Sequence, residues 1–145
     1  MTTKVEMAAA DFVAVAPHVA VADVVRTAEY YRDVLGFDVA GYWDGEEVHR
    51  DSSRPALFGI VERGQVSIHL NQGEQARVPS RESTGGYDLY FDIRNVDALA
   101  GELVARGAEI IDGPRDRSYG QRELVVRDCN GFVLAFGEPL PGCED

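Results

Sequence analysis

An internal duplication constrains the fold of this chain more than any other feature of its sequence. The stretch that begins at His18, HVAVADVVRTAEYYRDVLGF, returns in looser form from Asp88 as DLYFDIRNVDALAGELVARGAEI. Each copy reads as a strand, an amphipathic helix and a turn closed by a glycine, Gly36 in the first copy and Gly107 in the second. A repeat of this length is a supersecondary unit, so we expect a pair of similar modules.

The hydrophobic patterns predict the order β-α-β-β-β in each module. The predicted elements of the first module are a strand at 13–21, a helix at 24–35 and strands at 38–43, 56–61 and 65–70. Those of the second are a strand at 87–93, a helix from Val96 to Arg106, a strand at 109–111, a loop at 113–120 and strands at 122–127 and 132–136.

The predicted fold class is therefore α+β, with two tandem βαβββ modules. We place a single domain at residues 13–139, with modules at 13–71 and 87–139 and a linker at 72–86. Residues 1–12 form an N-terminal arm and residues 140–145 a tail in this prediction.

The formal net charge of −11 disfavours nucleic-acid binding, which needs an excess of Lys and Arg, and favours a cationic small molecule. The two cysteines, Cys129 and Cys143, are too few for a disulfide framework and form no metal motif. No signal-peptide pattern opens the chain, and no apolar run approaches the length that spans a bilayer. We expect a cytoplasmic protein without nucleic-acid or membrane partners.

Two segments carry a resemblance to a known family. They are the helix motif that ends at Leu35-Gly36-Phe37 and the closing segment YGQRELVVRDCNGFVLAFGEP. Together with the duplicated module they resemble the vicinal oxygen chelate superfamily, which includes glyoxalase I, extradiol dioxygenases and bleomycin-resistance proteins. The run at 120–124 is most similar to the bleomycin-resistance branch, although Cys129 replaces the proline usual in the family's Asp-Pro-x-Gly turn.

The resemblance implies that the two modules form a curved mixed-sheet cup, in which the metal enzymes of this family carry their metal ligands at four inward-facing positions. In this sequence they are Ala16, His69, Asp88 and Ala135. Alanine has no lone pair to donate, and a catalytic metal normally has three protein ligands, so we expect neither a metal nor another cofactor. An alternative remains open, in which His18 replaces Ala16 and completes a set with His69 and Asp88.

Strand alternation selects the candidate binding residues. His69 shares a face with Ser67 and Asn71, opposite Ile68 and Leu70, and is expected to point into the cup. Asp88 and Tyr90 share a face in the same way. Tyr42, Trp43, Phe58, Tyr90 and Tyr119 are candidates to stack on a planar ligand or to surround a cation. The predicted ligand-binding residues are His18, Trp43, Phe58, His69, Asp88, Tyr90 and Tyr119.

These residues predict a metal-free protein that sequesters an aromatic or cationic antibiotic or metabolite, with no catalytic residue. The alternative is a glyoxalase-like enzyme, metal-dependent through His18, His69 and Asp88, or using His69 as an acid/base. A partner-binding module with an empty cup is a third hypothesis. The resemblance further implies a homodimer.

Overall fold

The computed structural model describes residues 8–74 and 86–142. Within them the chain forms nine strands and two helices. In order these are β1 (His18–Val21), α1 (Val24–Asp33), β2 (Asp38–Trp43), β3 (Val48–His49), β4 (Phe58–Arg63), β5 (Val66–Gln72), β6 (Leu89–Asp92), α2 (Val96–Ala105), β7 (Glu109–Asp116), β8 (Gln121–Arg127) and β9 (Val133–Pro139).

The strands form two mixed sheets, one for each half of the chain. The first has the order β1-β5-β4-β2-β3 and the second the order β6-β9-β8-β7. In each sheet the strand before the helix pairs in parallel with the last strand of its module, and the other pairs are antiparallel. The predicted α+β class and the repeated β-α-β-β-β order are confirmed. The first module adds the two-residue strand β3 in a stretch predicted to be a loop.

The first strand is shorter than predicted. It begins at His18 rather than at residue 13, although Pro17 still accepts a hydrogen bond from the His69 N–H through its carbonyl. Proline has no backbone N–H, so the parallel ladder to β5 cannot continue through position 17.

The seventh strand is longer than predicted. It continues to Asp116, through half of the segment expected to be a loop, and its pairing with β8 shifts register twice. Such β-bulges disturb the alternation of polar and apolar residues. The sequence pattern therefore does not predict the second half of this strand.

Each helix begins at a capping residue and packs on its own sheet. The Asp23 carboxylate accepts a hydrogen bond from the Arg26 N–H at the start of α1. At the start of α2 the Glu138 carboxylate, on the last strand, accepts bonds from the N–H groups of Asn95 and Val96 at 3.0 and 2.8 Å. These bonds satisfy backbone donors that a helix leaves open at its first turn.

One hydrophobic core joins the two modules. Phe37 of the first module contacts Phe91 of the second at a ring-centroid distance of 6.3 Å, and Phe91 stacks on Phe136 at 4.8 Å. An ion pair crosses the same boundary, where both terminal nitrogens of Arg63 bond the Glu102 carboxylate at 2.7 and 2.8 Å. The helices and this core lie on one side of each sheet, and we name the opposite side its open face.

Several predicted features lie outside the described residues. These are residues 75–85 of the linker, residues 1–7 of the arm and residues 143–145 of the tail, with Cys143 among them. The predicted division into arm, domain, linker and tail stays a prediction. Neither helix within residues 8–74 and 86–142 is long and apolar enough to cross a membrane.

Candidate functional site

Alternation along β5 places His69 on the open face of the first sheet. Ile68 and Leu70 lie in the core between the sheet and the helices, whereas His69 and Asn71 are only partly buried. The prediction that His69 points away from the helices is confirmed. Tyr42 points the other way: it is buried in the core and its hydroxyl bonds the Ser52 hydroxyl, so this candidate aromatic is not available to a ligand.

The strand register gathers four of the predicted site residues on this face. His18 on β1 is the partner of His69 on β5, and Trp43 on β2 is the partner of Phe58 on β4. Ring centroids are separated by 4.6 Å between His18 and His69, 5.3 Å between Phe58 and His69, and 6.1 Å between His18 and Phe58. Trp43 remains 43% exposed beside them. We name these residues, with Asn71, the ring cluster.

Hydrogen bonds fix the protonation pattern of the two imidazoles. The Asn71 amide nitrogen lies 3.1 Å from His18 Nδ1, and His18 Nε2 lies 3.0 Å from His69 Nδ1. An amide nitrogen only donates, so with Asn71 in this orientation His18 Nδ1 accepts and His18 Nε2 carries the proton. His18 then donates to His69 Nδ1, which leaves the proton of a neutral His69 on Nε2. His69 therefore offers a ligand an N–H donor rather than a free lone pair.

We predict that His69 titrates below its ordinary pKa. Burial is the larger cause of the lowered pKa, and the neighbouring His18 charge is the second. Because the folded state resists protonation more than the unfolded chain does, stability is lost as pH falls below 6.5 towards the folded pKa. An NMR titration of the imidazole signals checks this. His18→Ala should raise the His69 pKa only part of the way back, and a value unchanged by that substitution would contradict the assigned causes.

The open face of the second sheet carries a different group, centred on a carboxylate that the sequence did not single out. Glu123 on β8 is only 1% exposed. Its Oε1 atom accepts hydrogen bonds from the hydroxyls of Tyr87 and Tyr119 at 3.1 and 2.5 Å and from Arg117 Nε at 3.2 Å. Its Oε2 atom accepts a bond from the Tyr90 hydroxyl at 2.8 Å. We name these residues the tyrosine cluster. The one available signal in the sequence is an acidic residue directly before the apolar run at 124–126.

Asp88 has a structural partner. Its Oδ2 atom accepts a hydrogen bond from the backbone N–H of Val133 at 2.8 Å, which ties the start of β6 to β9. Asp88 and His18 both line a cavity of about 270 Å³ between strands β1 and β6. This cavity is where the two halves of the predicted site approach each other. The structure otherwise divides the seven predicted residues between the two sheets.

Comparison with known proteins identifies the family. The family model described as glyoxalase/bleomycin resistance protein/dioxygenase superfamily matches residues 11–136. The chain belongs to this superfamily. The resemblance proposed from the sequence is confirmed, and the narrower placement in the bleomycin-resistance branch stays a prediction.

Known proteins resemble this chain in sequence or in fold. An uncharacterized protein from Mycolicibacterium smegmatis is 33% identical over 85 residues, which span 59% of this chain and 68% of the relative. A glyoxalase-related enzyme from Clostridium phytofermentans superposes with a TM-score of 0.66 at 21% identity, covering 89% of this chain and 98% of that one. TnmS3, an antibiotic binding protein from Streptomyces sp. CB03234, gives 0.61 at 20% identity, with 88% and 97% covered.

The residues at the superfamily's metal positions do not fit a metal. Ala135 is 0% exposed and packs with Val125 and Val133, so an apolar cluster fills the place of the fourth ligand. The alternative set is not assembled either, since His18 and His69 bond each other and Asp88 bonds the Val133 N–H. Across residues 8–74 and 86–142, no group of three or more His, Cys, Asp or Glu side chains is placed to hold a metal ion.

Proposed function

We propose that this member of the superfamily is a metal-free binding protein that sequesters an aromatic or cationic small molecule. The observation that carries the proposal is the ring cluster, where two imidazoles, a phenylalanine and a partly exposed tryptophan share one open face. Apolar and aromatic rings that remain accessible beside a few polar groups are typical of small-molecule sites. The likeness to TnmS3, an antibiotic binding protein, is consistent with this role.

The ring cluster determines the ligand chemistry that we propose. A planar heterocycle would stack against Phe58 and Trp43, and the His69 Nε2–H would donate to a carbonyl or ring nitrogen at its edge. The net charge of −11 favours the approach of a cationic ligand. Capture of this kind removes free ligand from solution without changing it chemically.

The proposal predicts saturable quenching of the single tryptophan, Trp43, by planar cationic compounds. Bleomycin and proflavine are suitable probes, titrated by fluorescence with and without EDTA. Removing the Phe58 ring in Phe58→Ala should weaken binding roughly tenfold, because stacking and apolar burial are both lost. Val104→Ala serves as the control, since Val104 is an exposed apolar residue on α2.

Two results would count against capture. The first is quenching that does not saturate or that Phe58→Ala leaves unchanged. The second is recovery of chemically altered ligand by liquid chromatography and mass spectrometry, above all if turnover depends on added zinc, nickel, iron or manganese and disappears in His69→Ala. That second result would support the enzyme alternative. Unaltered ligand at one equivalent per site supports sequestration.

A further inference from the structure

The tyrosine cluster presents aromatic rings around a carboxylate that solvent does not reach. Tyr90 is 40% exposed and Tyr119 is 61% exposed, whereas Glu123 beneath them is 1% exposed. The hydroxyls of Tyr87 and Tyr90 meet at the two oxygens of this carboxylate, while their ring centroids lie 6.1 Å apart and the ring planes are tilted by 44°. A ligand that arrives from solvent therefore contacts ring surfaces and not the carboxylate itself.

A glycine on the neighbouring strand makes room for this arrangement. Gly137 on β9 is the cross-strand partner of both Asp92 and Glu123. A Cβ atom at position 137 would overlap the Tyr90 hydroxyl. Any other residue at this position would displace the Tyr90 phenol from Glu123, so Gly137 is required for the observed cluster.

The hydrogen bonds strengthen the attraction of these rings for positive charge. A phenol that donates to a carboxylate gains electron density, and the negative face of an aromatic ring is what binds a cation. Burial first, and the bond to Glu123 second, hold the pKa of Tyr90 and of Tyr119 well above the usual value, so both phenols stay neutral donors.

The charges around the cluster favour a cation as well. Asp112 forms ion pairs with Arg115 and Arg117, and Arg117 also pairs with Glu123. Asp92 adds a further carboxylate that acts on the Tyr90 phenol. Three carboxylates therefore stand against two guanidinium groups, within a chain whose net charge is −11.

The occupied acceptors of Glu123 select the type of cation. Four donors already bond its two oxygens, so a primary ammonium group would find no open acceptor on Glu123 in exchange for the water it gives up. An alkylated ammonium or sulfonium group has few or no N–H donors to satisfy. It loses little by leaving water for the faces of aromatic rings.

We propose that the tyrosine cluster is a subsite for a quaternary or other alkylated onium group of the ligand. This inference rests on the proposed binding function and specifies one part of its ligand. Tyr87, Tyr90 and Tyr119 supply the ring faces, and Glu123 orients the rings and enriches them in electron density.

Choline, ethanolamine and 3,3-dimethyl-1-butanol provide the decisive comparison. Choline carries the quaternary ammonium group, ethanolamine the primary one, and the butanol is the neutral analogue with the shape of choline. We expect choline to shift the ring signals of the labelled tyrosines in NMR titrations and to bind at least tenfold more tightly than either analogue. Equal affinity for the neutral analogue or for ethanolamine would overturn the proposal.

Two substitutions locate the binding to the cluster. Tyr119→Leu removes an exposed ring and should weaken choline binding at least fivefold, and Gly137→Ala should weaken it by displacing Tyr90. Gly101→Ala is the matched control, because Gly101 is exposed on α2 with no heavy atom within 4 Å of a Cβ placed there, and it should leave binding unchanged. Circular dichroism verifies that each variant is folded. Choline affinity unaffected by either cluster substitution would place the ion elsewhere and end the proposal.

The onium inference and the capture function fail in different experiments. Choline could also contact the face of Trp43, so the variants assign each signal to its site. Choline binding supports the subsite only where Tyr119→Leu weakens it, and quenching supports capture only where Phe58→Ala weakens it. Choline binding without quenching by bleomycin or proflavine would leave the subsite standing and contradict capture by the ring cluster. Quenching without choline binding would support capture by the ring cluster and contradict the onium subsite.

Discussion

Replacing Gly113 by alanine is expected to destabilise the protein by roughly 3–5 kcal/mol. Gly113 lies in β7 with φ at +86°, a conformation that side chains with a Cβ rarely adopt. A Cβ atom at this position would also overlap the backbone carbonyl oxygen of Glu123 on β8. Relief of that overlap requires the two paired strands to separate where their register shifts between Asp112 and Arg115. Urea denaturation monitored by circular dichroism measures the loss.

The same substitution at Gly101 should have the opposite sign. Gly101 lies inside α2, and no heavy atom lies within 4 Å of a Cβ placed there. Gly101→Ala is therefore expected to raise the free energy of unfolding by about 0.5–1 kcal/mol, because alanine has the higher helix propensity. The pair separates a steric effect at one glycine from the general effect of adding a methyl group. A loss below about 1 kcal/mol at Gly113 would show that β7 and β8 tolerate the overlap.

Asp128→Ala is expected to cost about 3–4 kcal/mol, because it leaves several buried donors without an acceptor. Asp128 Oδ2 accepts a bond from the Tyr31 hydroxyl of α1 at 2.6 Å. Its Oδ1 atom accepts bonds from the N–H groups of Asn130 and Phe132 at 2.8 and 2.9 Å. Burial raises the pKa of Asp128 against the opposing effect of these bonds. This one side chain shapes the β8–β9 turn and fastens it to the first module.

Asp128→Asn and Tyr31→Phe separate the contribution of the turn bonds to stability from that of the bond to Tyr31. The asparagine keeps an acceptor for the turn and should cost about 1–2 kcal/mol, since only the charged partner of Tyr31 is lost. Tyr31→Phe removes the link between the modules but leaves the turn bonds in place. Thermal unfolding of the three variants ranks them. Equal losses for Asp128→Ala and Asp128→Asn would show that charge, rather than the turn geometry, is what matters.

Local patterns in the sequence were sufficient for the modular fold and for the orientation of single side chains. The duplicated strand-helix unit has a strong period in each copy, and His69 alternates with buried apolar neighbours, so both could be read without tertiary information. The same alternation fails at β7, where the bulges around Asp112 break the period of two.

Contacts between residues that are far apart in the sequence could not be predicted from those patterns. Tyr119 lies in the turn just before the strand of Glu123, but Tyr87 and Tyr90 reach this carboxylate only because β6 and β8 both pair with β9. The backbone partner that Asp88 gains from its position next to β9 is another such relation, while its predicted role in ligand binding stays a prediction. The homodimer and the cytoplasmic location stay predictions.

The two helices complete their first turns in the same way, with one local and one distant acceptor. The side chains of Asp23 and Asn95 each accept a bond from the N–H three residues further along the chain. Gln72 on β5 and Glu138 on β9 accept bonds from the first N–H of α1 and of α2, 48 and 42 residues back along the chain. During synthesis on the ribosome each helix can therefore gain its local cap at once, but its first turn is complete only when the last strand of its own module has been made.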